Sequence, residues 1–129
     1  MSLDRLRHRP VLVVEDDPRI SAELVFTLED AGVEVLGPCA TIPEALRLMS
    51  QTPQIEGAIL DVKLAGELVF PVAYDLARRG VPFVFLTGYD RSLVAVRFAS
   101  VPAFEKPVKP ADVASALADL LHEDTRRRA

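Results

Sequence analysis

Val11-Leu12-Val13-Val14-Glu15-Asp16-Asp17-Pro18 runs from four aliphatic residues straight into three acids and a proline. A continuous aliphatic and β-branched run of this kind is what a strand covered on both faces requires. The acids end it. Asp17 is placed to cap a following helix, and Pro18 suits that helix's first turn, where a missing N–H is harmless. Ile20, Leu24, Leu28 and Ala31 then recur at helical spacing up to Gly32, which ends the helix. The stretch therefore reads as a buried strand, an acidic strand end and an amphipathic helix.

The same unit recurs outward from it. Val33 to Leu36 predicts a second strand before Gly37 and Pro38, and Thr41 caps a helix carrying Ala45, Leu46, Leu48 and Met49. Ala58, Ile59 and Leu60 form a third buried strand that ends on Asp61. After a glycine-containing loop, Pro71 opens a helix through Arg79, with Gly80 as its stop. Pro82 to Leu86 is a fourth strand ending at Thr87 and Gly88, and Arg91 to Phe98 a short helix. A short fifth strand around Ala103 and Phe104 ends at Glu105, Lys106 and Pro107; Pro102 suits an edge position there. Pro110 begins the last helix, with Val113, Leu117, Leu120 and Leu121 on one face. Five such units predict the α/β class: a doubly wound, five-stranded parallel sheet with helices on both faces, joined by right-handed crossovers.

The 129 residues fit one domain, with a core over about 10–122 and short terminal tails. Half the residues are hydrophobic and 26% are charged, as in ordinary soluble domains. A net charge of −4 implies no large basic surface, so nucleic acid is not an expected partner. Arg126, Arg127 and Arg128 are read as a solvated terminus. Cys39 is the sole cysteine, which excludes an intramolecular disulfide and fits a reducing cytosol. No apolar run is long enough to span a bilayer, and no apolar h-region follows the basic N-terminus. A cytoplasmic location without membrane contact is the expectation.

The polar residues that carry chemistry collect at strand ends: Glu15 and Asp16 after the first, Asp61 after the third, Thr87 after the fourth, Lys106 after the fifth. Open α/β sheets bind ligands outside those ends, at a topological switch point, so these distant residues converge on one shallow cleft. Clustered carboxylates repel one another unless a cation neutralises them, and hard oxygen ligands with retained waters suit Mg2+. An ammonium and a hydroxyl can hold transferred phosphoryl oxygens, and phosphoryl transfer asks mainly for such positioning.

The ordered set Val-Val-Glu-Asp-Asp-Pro at 13–18, Ile-Leu-Asp-Val at 59–62, Leu-Thr-Gly at 86–88 and Glu-Lys-Pro at 105–107 resembles the response-regulator receiver family over nearly the whole chain. The resemblance implies a flavodoxin-like strand order 2-1-3-4-5. It implies Asp61 as phosphoacceptor, Asp16 as direct magnesium ligand, Glu15 acting through water, and the backbone carbonyl of Lys63 completing the protein ligands. Thr87 would bring its hydroxyl to the phosphoryl group and Lys106 its ammonium, with a cis Lys106–Pro107 bond. A narrower likeness lies in Pro-Phe-Val-Phe-Leu-Thr-Gly-Tyr at 82–89 and Asp-Val-Lys-Leu-Ala-Gly-Glu at 61–67. These are similar to the stand-alone "FAT GUY" receivers of alphaproteobacteria, with Leu86 in place of alanine and without the Met-Pro pair usual in other receivers. The usual switch aromatic, three residues before the lysine, is here Ala103, followed by Phe104. Strand neighbours face opposite sides, so Phe104 is no substitute. Tyr89 is the candidate to report phosphorylation instead.

The resemblance implies a phosphorylation switch, not an enzyme acting on a separate substrate. Its expected partners are a histidine kinase or phosphotransfer protein, and a downstream protein on the face of the fourth helix, fifth strand and fifth helix; a homodimer is compatible with it. Only a short tail follows the fifth helix, which suggests a stand-alone regulator or phosphate sink. The alternatives are a receiver-like interaction module that ignores phosphate, which the intact acidic set disfavours, and a metal-dependent phosphohydrolase. Such hydrolases commonly carry a second carboxylate where this chain has Lys63. Phe70 and Tyr74 are read as packing residues, and the apolar loop Leu68, Val69 and Phe70 as core filling rather than a partner-facing patch.

Overall fold

The computed structural model describes residues 2–88 and 91–128, with side chains over 3–88 and 91–124. Its aliphatic runs are strands and its amphipathic stretches helices. They are β1 (Pro10–Val14), α1 (Pro18–Asp30), β2 (Glu34–Cys39), α2 (Ile42–Gln51), β3 (Gly57–Asp61), α3 (Phe70–Arg78), β4 (Phe83–Thr87), α4 (Arg91–Arg97), β5 (Ala103–Glu105) and α5 (Pro110–Arg128). The caps form as the side chains dictate: Asp17 Oδ1 accepts from Arg19 N at 2.9 Å, and Thr41 Oγ1 from Glu44 N at 3.2 Å.

The five strands pair in parallel in the order β2-β1-β3-β4-β5, the flavodoxin-like order. Alternation along each strand divides the core in two. Leu12, Val14, Ala58, Leu60, Phe83 and Phe85 face α2, α3 and α4. Val11, Val13, Ile59, Val84 and Leu86 face α1 and α5. Each fully buried Leu, Val, Ile or Phe contributes about 1.5–3 kcal/mol, so both faces matter to stability. The first face is aromatic: Phe98, just past α4, stacks against Phe70, Phe83 and Phe85 at centroid distances of 5.8, 5.8 and 5.5 Å.

Four local features differ from the expectation. Strand β2 does not stop at Leu36 but continues through Gly37 and Pro38 to Cys39, because a bulge shifts its pairing from Leu12↔Leu36 to Val14↔Cys39. Gly37 makes this possible, at φ +97 with Val13 O and Cys39 N each 2.8 Å from where a Cβ would sit. The loop after Asp61 contains a two-stranded antiparallel hairpin, Lys63–Leu64 with Glu67–Leu68. A 3-10 helix at Ser2–Leu6 buries Leu6 against the α1–α5 core. Helix α5 continues through the stretch read as a tail; the side chains of its three arginines lie outside the described residues.

Candidate functional site

The bulge in β2 has a local consequence. It brings the Cys39 carbonyl to the end of β1, where it accepts from Glu15 N at 2.9 Å and so fixes the first acid. The Glu15 side chain turns inward and is 2% exposed. Its Oε2 accepts from Asp17 N at 2.9 Å, and its Oε1 lies 3.1 Å from Lys106 Nζ as an ion pair. Asp61 ends β3 at 4% exposure, with Oδ2 accepting from Lys106 Nζ at 3.0 Å. Lys106 is delivered by the edge strand: its N–H donates to Thr87 O at 2.8 Å, and the Lys106–Pro107 peptide is cis, as the sequence resemblance implied.

Asp16 differs from these two acids. It is exposed, and its Oδ2 accepts from Ala65 N in the hairpin turn at 2.9 Å. The structure thus brings Glu15, Asp16, Asp61 and Lys106 together. Ligand atoms of the three acids all lie within 4.8 Å of one another. Thr87 is fully buried at the end of β4, and its hydroxyl has no hydrogen-bond partner among the described residues. Lys63 is exposed at the head of the hairpin, two residues past Asp61. Tyr89 lies outside the described residues. Ala103 and Phe104 pack on opposite faces of the sheet, so Phe104 does not take the place of Ala103.

The charges explain how the groups titrate. Burial pushes the Asp61 carboxyl up, and the adjacent Glu15 adds to this; Lys106 pulls the other way, and Asp61 ends at about 8. Burial opposes the Lys106 ammonium, but hydrogen bonding and attraction from Asp61, then from Glu15, raise it overall. Partial burial also works against the Asp16 carboxylate; the Ala65 N–H, with hydrogen bonding from Glu15 and Asp61, outweighs it and lowers Asp16. Once Asp61 gives up its proton, three carboxylates face one ammonium, and these clustered hard oxygen donors could hold a metal ion. The buried Cys39 thiol, pushed up to about 11 by burial and then by Glu44, is a packed structural group.

Sequence reading missed the Ala65 N–H. A backbone donor leaves no side-chain signature, and only Gly66 hinted at a turn. Val69 and Phe70 fill the core as expected; Leu68 and Tyr74 do not, because Leu68 lies on the exposed outer strand of the hairpin and Tyr74 on the outer side of α3.

No family model matches the chain. It is 30% identical over 123 residues to the phyllosphere-induced regulator PhyR of Methylorubrum extorquens, covering 92% of this chain and 46% of that protein. The chain spans about half the length of the curated relatives it matches. The solution structure of SdrG from Sphingomonas melonis Fr1 matches with a TM-score of 0.76 at 41% identity, over 88% of this chain and 97% of that one. The solution structure of the PhyR response regulator REC domain of Erythrobacter litoralis matches with a TM-score of 0.78 at 26% identity, over 90% and 92% of the two chains. No helix among the described residues is long and apolar enough to cross a membrane. With strand order, strand-end residues and relatives all in agreement, the chain belongs to the response-regulator receiver family of two-component signalling.

Proposed function

We propose that the protein accepts a phosphoryl group on Asp61 and signals by the change this makes at the cleft. The observation that carries the reading is the buried Asp61 carboxylate, bridged by Lys106 to Glu15 and flanked by the exposed Asp16. An Asp61 oxygen attacks the donor's phosphorus; the bond from phosphorus to the donor nitrogen or oxygen breaks, and the leaving group takes the electron pair. Lys106 passes from the carboxylate to a phosphoryl oxygen, and the Thr87 hydroxyl donates to another, which supplies the hydrogen bond its buried position leaves unmet. Glu15, Asp16, Asp61 and the Lys63 carbonyl would hold Mg2+. The ion would supply the positive charge that lets an anionic donor approach three carboxylates.

The chain turns over no separate substrate in this reading; attack of water on phosphorus returns Asp61 to its free form. The donor is a histidine kinase or phosphotransfer protein in the cytoplasm. The downstream protein docks on α4, β5 and α5, where Leu93 and Val96 of α4 are exposed. The test is incubation with Mg2+ and acetyl phosphate, followed by intact mass. One phosphoryl addition is expected, lost without Mg2+ and in Asp61→Asn. An adduct of equal yield in Asp61→Asn, or none in the wild type, would overturn the reading.

A further inference from the structure

The hairpin after Asp61 has only two loop residues, Ala65 and Gly66, and both sit in the left-handed region, at φ 48 and 84. Two positive φ values in succession are the mark of the tight turn that suits the twist of a two-residue hairpin. Such a turn pairs the strand residues on either side, here Leu64 and Glu67, and leaves the first loop N–H without a partner inside the hairpin. That N–H is Ala65 N, and it is spent on Asp16 Oδ2 at 2.9 Å across the cleft. The hairpin is a firm base: Leu64 is buried, and Val69 N donates to Val62 O at 2.8 Å at its root.

Asp16 needs such a hold more than its neighbours do. Glu15 and Asp61 are buried and ion-paired, whereas Asp16 is exposed, and its side chain would otherwise choose freely among rotamers. A carboxylate with one oxygen tied to a backbone N–H presents the other in a restricted direction. Resting on the Mg2+ reading above, we infer that the Ala65–Gly66 turn is a positioning device that orients Asp16 for the ion. The hairpin also begins at Lys63, whose carbonyl that reading assigns to the same ion, so one local structure sets two of its contacts.

Gly66 allows a clean test. No atom lies within 4 Å of where its Cβ would sit, so a side chain there meets backbone strain and no clash. A β-branched residue resists the left-handed region, while asparagine tolerates it. Mg2+ binding to the full chain is measured by calorimetry for wild type, Gly66→Val and Gly66→Asn, alongside thermal unfolding without metal and hydrogen exchange of the Ala65 amide. Gly66→Val should weaken Mg2+ binding about tenfold or more, the low end of the scale of one lost charge-assisted hydrogen bond. Gly66→Asn should restore it, and the Ala65 amide should be protected in wild type and Gly66→Asn but not in Gly66→Val. The strain should lower the unfolding temperature of Gly66→Val by only a few degrees and leave the chain folded at the temperature of the binding measurement, which separates positioning from folding. Equal Mg2+ affinity in all three, or an unprotected Ala65 amide in wild type, would overturn the inference while leaving the phosphoacceptor reading intact. Absence of Mg2+ binding in wild type would overturn both.

Discussion

At the ends of β1 and β3 each acidic residue of the cluster has a partner: Asp17 N for Glu15, whose Oε1 also pairs with Lys106 by charge without a hydrogen bond, Lys106 for Asp61, and Ala65 N for Asp16. Across the cleft, at β4 and α4, the Thr87 hydroxyl has no partner among the described residues. The seven-residue α4 buries only Val94 of its own and leaves Val96 83% exposed. Phe98, stacked in the aromatic core, ties the end of this helix, and Arg97 reaches back over the Phe70 ring at 5.1 Å. The acid side is preorganised in the sense that hydrogen bonds and ion pairs already hold its carboxyl groups where a cation would be bound. On the other side β4 is fully buried, but α4 is anchored by little of its own, and elements of that kind are the ones that move at low cost. In the proposed reading, this packing divides the labour between a fixed site and a more loosely held reporter.

Breaking the fixed side should have the largest effect. Lys106→Met removes the cation between the buried Glu15 and Asp61, and Asp61, already raised to about 8, takes up a proton that offsets part of the loss. Removal of one partner of a buried pair costs about 3 kcal/mol, and the partial exposure of Lys106 puts the expectation at about 2 kcal/mol in metal-free buffer at pH 8. Urea denaturation with a chelator measures it. The Lys106 contribution is complete below the ordinary lysine value and is lost as pH rises through its raised one, so pH 8 lies within its range.

A smaller effect of opposite sign is expected at Asp61 itself. Its folded carboxyl is raised to about 8, so the folded state holds that proton more tightly than the unfolded chain. The resulting stability is present below the unfolded value near ~4 and is lost as pH rises to the folded one. Without metal, Asp61→Asn should therefore be more stable than wild type by about 1–2 kcal/mol at pH 9, with the gap closing toward pH 4. Denaturation curves across that range check the sign; a gap that widened toward acid would contradict the charge distribution described.

The smallest effect probes the reporter side. Ala103 lines a groove of ≈ 470 Å³ beside α4, shared with Arg91, Val94, Ala95 and Phe98. Ala103→Tyr should fit there with a stability change under about 1 kcal/mol, because open grooves accept added atoms that packed cores reject. Thermal unfolding tests this, and a loss of several kcal/mol would show that α4 is packed as tightly as the acid side.

Much of this was legible in the sequence because strand ends in a doubly wound sheet are forced to converge. Once Val11–Val14 and Ala58–Leu60 read as buried strands, Glu15, Asp16 and Asp61 had to share a cleft. Asp17 as a cap and Pro110 as a helix start came from local chemistry. The features that stayed hidden depend on backbone geometry rather than residue type. A Gly-Pro pair reads as the end of a strand, yet here it bulges β2 and carries it on to place Cys39 O on Glu15 N. Ala-Gly is a weak turn signal, and an N–H aimed at a distant carboxylate has none at all. Ala103 in place of an aromatic was visible, and its consequence for the reporter side was not: Phe98, from a different element, supplies the ring packing on that face.

The central claim is that Asp61 takes the phosphoryl group, and trapping the bond at its residue tests it most directly. Borohydride reduces an acyl phosphate to the alcohol, so a phosphorylated aspartate becomes homoserine and can be located by peptide sequencing. After incubation with acetyl phosphate and Mg2+, homoserine is expected at position 61 and at neither Asp16 nor Asp17. Homoserine at another acid, or none in protein whose mass shows the phosphoryl addition, would contradict the account.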